Sequence, residues 1–137
     1  MIFGIGIDLA KTSRFEKWVK DPEMLRRFFN EKEIIDFPAS GPNSASLEKN
    51  RISAACQHYA ARFAAKEAFS KALGTGIVFD LRDVFVVSGA NGKPELFVKN
   101  SAAEIFRQNC PEYERAKIFI SMSHEKEFVV SEVIIEI

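Results

Sequence analysis

The stretch from about Leu47 to Leu73 constrains this chain most. Its apolar positions Ile52, Ala55, Cys56, Tyr59, Phe63, Ala64, Ala68 and Leu73 recur with a period near 3.6, and Gly74 follows as a C-terminal stop. One long helix is predicted there. Ahead of it, residues 2–8 are apolar and β-branched, which predicts a buried strand closed by Asp8, with Gly4 and Gly6 admitting another backbone or a ligand close by. Ser13 with Glu16 reads as a capping box for a helix carrying Phe15, Trp18 and Val19, and Asp21-Pro22 restarts a helix with Met24, Leu25, Phe28 and Phe29 on its apolar face. Asn30 with Glu33 repeats the box, so a short helical segment should run toward Phe37, end at Pro38 and give way to a loop over 39–46.

Beyond the long helix the pattern changes. Asp83 to Ser88 alternates as a strand, Asn91-Gly92 marks a turn, and Glu95 to Lys99 reads as the returning strand. Ser101 and Glu104 cap a short helix, and Ala116–Ser123 with Phe128–Ile137 reads as a second hairpin around His124–Glu127. Helices first and strands later give an α+β fold, a long helix on a small, mostly antiparallel sheet. With 137 residues, 47% of them hydrophobic, the chain is sized for one domain over 1–137.

Nineteen basic side chains balance nineteen acidic ones, so no global charge draws the protein to nucleic acid or an anionic membrane. Met1-Ile2-Phe3-Gly4 lacks a basic leader, and the apolar run Phe128–Ile135 is broken by Ser131 and Glu132. Cys56 and Cys110 lack metal-type spacing and read as buried thiols in a reducing compartment. A soluble, cytoplasmic protein is expected.

The chemistry-bearing residues each admit two readings. Asp8 is a turn cap or a ligand; Glu67 and Lys71, four apart on one helix face, are an exposed ion pair worth about 0.3–0.5 kcal/mol or part of a site. Glu67 lies among small and aromatic residues, where a solvated charged face is not the obvious design. Asp8 and Glu67 would meet the demand of Mg²⁺ for one or two protein carboxylates beside substrate phosphate oxygens. Gly74-Thr75-Gly76 is a helix stop or a place where backbone approaches phosphate. His124, at a strand end, is structural or phosphate-binding, and His58 has less to recommend it. Arg14, Lys17, Lys20, Arg26 and Arg27 form a basic outer face, either solvated or met by a strongly acidic protein.

Taken together, Gly4-Ile5-Gly6-Ile7-Asp8, Arg14-Phe15, Phe29 to Glu33, Arg62 to Lys71, Leu73 to Gly76, Gly92-Lys93-Pro94 and Ser121-Met122-Ser123-His124 resemble the holo-acyl-carrier-protein synthases, the short bacterial class of 4′-phosphopantetheinyl transferases. The resemblance covers nearly the full chain. It implies transfer of the phosphopantetheine arm of coenzyme A to a serine of apo acyl carrier protein, in support of fatty acid biosynthesis, with release of adenosine 3′,5′-bisphosphate. It also implies Mg²⁺ held by Asp8 and Glu67, and a homotrimer whose clefts are shared between subunits. Lys71 would contact the diphosphate, Arg62, His124 and Gly74-Thr75-Gly76 would line the coenzyme A cleft, and Arg14, with Arg26 and Arg27, would dock the carrier protein. Extra residues around Pro38 to Asn50 depart from the family's pattern without losing a motif position, and Glu125 makes adenosine contacts from that turn less secure. The expected chemistry is in-line attack by the carrier serine, Lys71 offsetting leaving-group charge, and a water held by Glu67, or Glu67 itself, taking the proton. A noncatalytic coenzyme A or nucleotide sensor using the same cleft is the alternative.

Overall fold

Two glycines let the first strand lie directly on the long helix. The computed structural model describes residues 1–36 and 45–137. The expected break at Phe37-Pro38, the loop over 39–44 and the first part of the 38–50 segment fall outside the described residues. Strand β1 (Ile2–Lys11) crosses helix α3 (Ala45–Leu73) so closely that a Cβ built on Gly4 would stand 1.8 Å from the Ala72 carbonyl oxygen, and one on Gly6 1.8 Å from that of Ala68. On the helix side the approach needs small residues, and Ala61, Ala64, Ala65, Ala68 and Ala72 are all buried. The close backbone expected beside Gly4 and Gly6 is therefore α3 itself.

β1 pairs antiparallel with β5 (Phe128–Glu136), which pairs antiparallel with β4 (Lys117–His124), giving the order β1-β5-β4. α3 packs on one face of this sheet, where the Ser131 hydroxyl donates to the Ala61 carbonyl at 2.8 Å. A separate hairpin, β2 (Val84–Ser88) with β3 (Pro94–Val98), turns through Gly92 at φ 73°. Phe15, Phe29, Tyr59 and Phe63 build the core around the first half of α3, and Phe69, Leu73, Val84, Phe106 and Val133 that around the second.

Several local expectations need correction. β1 runs on to Lys11 because β5 pairs with it as far as Phe128, so Asp8 sits within the strand, opposite Ser131, and closes nothing. The strand is buried on one face only: Ile5, Ile7 and Leu9 are exposed. Ser13 and Glu16 form no capping box. The chain makes a 3-10 turn over Thr12–Phe15, fastened by Thr12 N to the Glu127 carbonyl and Thr12 Oγ1 to that of Lys126, before the short helix α1 (Glu16–Val19). Ser101 does not cap α4 (Asn100–Asn109) either, because Asp83 accepts its hydroxyl at 2.5 Å.

Other local expectations hold. Asp21 Oδ1 accepts from the backbone of Glu23 and Met24 to start α2 (Pro22–Phe28). Asn30 and Glu33 form their reciprocal box, although the turn ends at Glu33. α3 starts at Ala45, two residues inside the expected loop, and stops at Gly74, whose φ of 82° lets its N–H and that of Thr75 reach the Ser70 carbonyl. Cys56 and Cys110 are free and buried, and no helix among the described residues is long and apolar enough to cross a membrane.

Candidate active site

The close contact of β1 and α3 decides the first half of the site. Lys71 reaches across it, its Nζ donating to Asp8 Oδ1 at 3.0 Å and to the Ile7 carbonyl at 2.9 Å. The expected alternative, a Glu67–Lys71 pair along the helix, does not form. Lys71 instead engages a strand 63 residues earlier, and Glu67, half-buried one turn before it, has no side-chain partner among the described residues. Asp8 Oδ2 and both Glu67 carboxylate oxygens therefore lack protein donors there, and hard anionic oxygens of this kind are what Mg²⁺ takes as ligands. Among the described residues no group of three or more His, Cys, Asp or Glu side chains forms a metal cage. Two carboxylates beside a lysine suit a cation whose other ligands come from phosphate.

Phe63, Glu67 and Lys71 follow at four-residue intervals and share one face of α3. The Arg14 guanidinium lies over the Phe63 ring, 5.0 Å from its centroid. That exposed cation therefore stands one turn from Glu67, on the carboxylate's own side of the helix. Arg26 and Arg27 are exposed on α2.

Arg62 and His124 belong elsewhere. They line a cleft of about 330 Å³ between α3, the β2–β3 turn and the end of β4, with His58, Gly92 and Pro94 in its wall. At about 100° per residue, the nine positions from Arg62 to Lys71 place them on opposite sides of α3. β5 separates the same two places in the sheet, since Ser131 pairs with Asp8 on one side and Met122 on the other. Within one chain, then, Lys71 joins Asp8 across β1 and α3, Glu67 stands one helical turn before Lys71 on the same face, and Arg62 and His124 share a cleft on the opposite side of the helix. Gly74-Thr75-Gly76 sits at the C-terminal end of α3, beyond Lys71, and its Gly76 also has a positive φ, 67°.

Arg62 carries a specific sign of an absent acceptor. Its Nη1 donates to the His58 carbonyl at 3.3 Å, while its Nε is buried with no partner among the described residues. His58 takes a structural role. Its Nε2 donates to the Glu33 carbonyl at 2.6 Å, which fixes the tautomer, and burial, then the charge of Arg62, press its pKa down to about 4 despite that bond. The neutral ring anchors this turn of α3 to the Glu33 backbone, and the carbonyl of the same residue accepts from Arg62. The pairing of Lys66 with Glu33 was not expected: Lys66, beside Glu67 in the motif, is fully buried and donates to Glu33 Oε1 at 2.6 Å. The Asn30/Glu33 box was the only signal, and it named one end of the pair.

Fold and site together define a small α+β protein with a lysine–aspartate contact and the half-buried Glu67 on one flank of its long helix, and an arginine–histidine cleft on the other. The chain belongs to the 4′-phosphopantetheinyl transferase superfamily, whose family model matches residues 4–130. A holo-[acyl-carrier-protein] synthase of Treponema denticola is 39% identical over 137 residues, covering 99% of each chain. Among solved structures, a holo-(acyl-carrier-protein) synthase from Bacillus anthracis in complex with CoA (3′,5′-ADP) matches with a TM-score of 0.67 at 31% identity, covering 98% of this chain and 96% of the other. The Helicobacter pylori synthase in complex with coenzyme A matches with a TM-score of 0.68 at 27% identity, covering 96% and 99%.

Proposed function

We propose that residues 1–137 act as one transferase domain that moves the 4′-phosphopantetheine group of coenzyme A onto a serine of apo acyl carrier protein, as the names of its relatives describe for them. The observation that carries this reading is the Lys71–Asp8 contact across β1 and α3, with the unpartnered Glu67 carboxylate one turn away. The serine hydroxyl attacks the phosphorus bearing the pantetheine arm; the new bond is O–P, and the bond broken is the diphosphate bridge, with adenosine 3′,5′-bisphosphate leaving. Glu67, or a water it holds, accepts the serine proton. Lys71 offsets the negative charge that grows on the leaving diphosphate. Asp8 and Glu67 would hold Mg²⁺, which when bound supplies charge neutralisation at the phosphates. Arg14, one turn from Glu67, with Arg26 and Arg27 beyond it, would receive an acidic carrier protein on the side where its serine is needed.

The reading includes assembly with further copies of this chain. The sheet face turned away from α3 carries Ile5, Ile7 and Leu9 with Ile134 and Val130 of β5 and Phe119 of β4 around Glu132, which lies opposite Ile7, and Leu9 is 66% exposed. An exposed sheet face that is mostly apolar fits a partner surface. A second copy also resolves the split site: one protomer's Arg62–His124 cleft can face another's Asp8–Lys71 flank, so that a single coenzyme A touches both. A homotrimer satisfies this, every protomer giving one flank and receiving the other. A cytoplasmic location belongs to the same proposal, since free buried thiols fit a reducing compartment.

The direct test is incubation with coenzyme A, Mg²⁺ and apo carrier protein, followed by intact mass. The expected result is addition of the phosphopantetheine arm to the carrier by the unaltered chain and not by Glu67→Gln. An unmodified carrier with the unaltered chain overturns the reading; equal transfer by Glu67→Gln removes Glu67 from it.

A further inference from the structure

Among the described residues Lys66 and Glu33 are the two charged side chains that the fold hides, both 0% exposed. Lys66 Nζ spends all three protons on protein: Glu33 Oε1 at 2.6 Å, the Leu81 carbonyl at 3.0 Å, and the Val84 carbonyl. Glu33 is equally committed. Its Oε1 accepts from Asn30 N at 3.0 Å, its Oε2 from Val86 N at 3.1 Å, and its own carbonyl takes the His58 ring. The pair thus ties the Asn30–Glu33 turn, the start of β2 and the middle of α3 into one joint.

Stability alone does not account for such a joint. Removing two charges from water offsets most of what their attraction returns, and well-packed apolar side chains of similar volume often serve as well or better. What apolar packing does not supply is direction. An ammonium held by three oxygens fixes the rotation of α3 about its own axis, and Lys66 is the residue before Glu67 and one turn after Arg62.

We propose that the Glu33–Lys66 joint is a positioning device for transfer: it sets the roll of α3, so that Glu67 on one flank and Arg62 on the other are aimed at once. The proposal rests on the transferase reading above. Side-chain tips lie roughly 5–6 Å from a helix axis, so a roll of about 10° carries them about 1 Å. A displacement of about 1 Å at a reacting centre can lower a rate about 10²-fold. The Glu33 backbone carbonyl also takes the His58 ring, and the His58 backbone carbonyl takes Arg62 Nη1, so a shift of the Asn30–Glu33 turn on release of the joint is passed to the cleft as well.

The test is the double substitution Glu33→Gln with Lys66→Met, which removes both charges and approximates the volume. Measured well below its melting temperature, the folded double variant is expected to lose about 10²-fold in kcat and about tenfold in coenzyme A affinity by calorimetry without carrier protein. Parallel loss of both is what a roll predicts; reduced stability alone leaves kcat per folded molecule unchanged. A folded double variant with kcat and coenzyme A affinity within about twofold of the unaltered chain overturns the proposal. Should the double variant not fold, Glu33→Asp keeps the charges and draws the carboxylate back by one methylene. Loss of turnover and affinity by folded Glu33→Asp supports the proposal, and retention of both overturns it. An unaltered chain that binds coenzyme A but transfers nothing sinks the transferase reading instead, and the affinity comparison still decides the role of the joint.

Discussion

Replacing Gly6 by alanine adds one methyl group at the tightest point of the β1–α3 contact. The new Cβ would lie 1.8 Å from the Ala68 carbonyl oxygen, 2.6 Å from Ala72 N and 2.8 Å from the Ala68 carbonyl carbon. All three are backbone atoms, so no side-chain tip can turn aside. Reaching even 3.0 Å from that oxygen requires the strand and helix to part by about 1.2 Å. Overpacking of this kind costs about 1–3 kcal/mol, and the reduced chain entropy of the unfolded state returns only about 0.4–1 kcal/mol. The expected loss is thus about 1–2 kcal/mol, or several degrees in melting temperature for a chain of this size. The same parting lengthens the Lys71 contacts with Asp8 and Ile7, now 3.0 and 2.9 Å, so turnover should fall about 10²-fold in protein that is still folded. Thermal melts and the carrier-mass assay on one preparation read both. A Gly6→Ala chain that melts and turns over like the unaltered one refutes the claim that backbone contact here sets the position of Asp8.

Further expectations follow from the same geometry. His58 has a folded pKa of about 4 against about 6.5 when unfolded, so the unfolded chain binds more protons between those values. The sign is therefore fixed: stability is fully present above about pH 6.5 and falls as pH drops toward 4, by no more than about 3 kcal/mol for this group. Urea midpoints of the unaltered chain and His58→Gln across that range should diverge as described, and parallel curves would contradict it. Lys71→Ala should lower kcat, whereas Arg14→Ala should mainly raise the KM for carrier protein, because one acts on leaving-group charge and the other on encounter; identical kinetic profiles would collapse the distinction. Leu9→Lys, opposite Val130, places a charge in the exposed sheet face, and sedimentation should show smaller assemblies with little change in protomer helix content. An unchanged sedimentation profile would move the subunit contact elsewhere.

Sequence alone determined what depends on neighbours along the chain. The 3.6-residue period and Gly74 gave the long helix and its end, Asp21-Pro22 gave the start of α2, and Asn91-Gly92 gave a hairpin, because these signals act over a few residues of backbone. The ordered motifs also led to the family and to Asp8, Glu67 and Lys71. Tertiary structure decided where local hydrogen bonding had rivals: Ser13 and Ser101 read as helix caps, but contacts from the β4–β5 turn and from Asp83 settled the backbone at those places. It decided too that Lys71 pairs with Asp8 rather than Glu67 and that Lys66 finds Glu33. Charge pairing and burial are settled by distances in space, and for Lys71 and Asp8 that distance was set by two missing Cβ atoms that let a strand settle onto a helix more than sixty residues away in the chain.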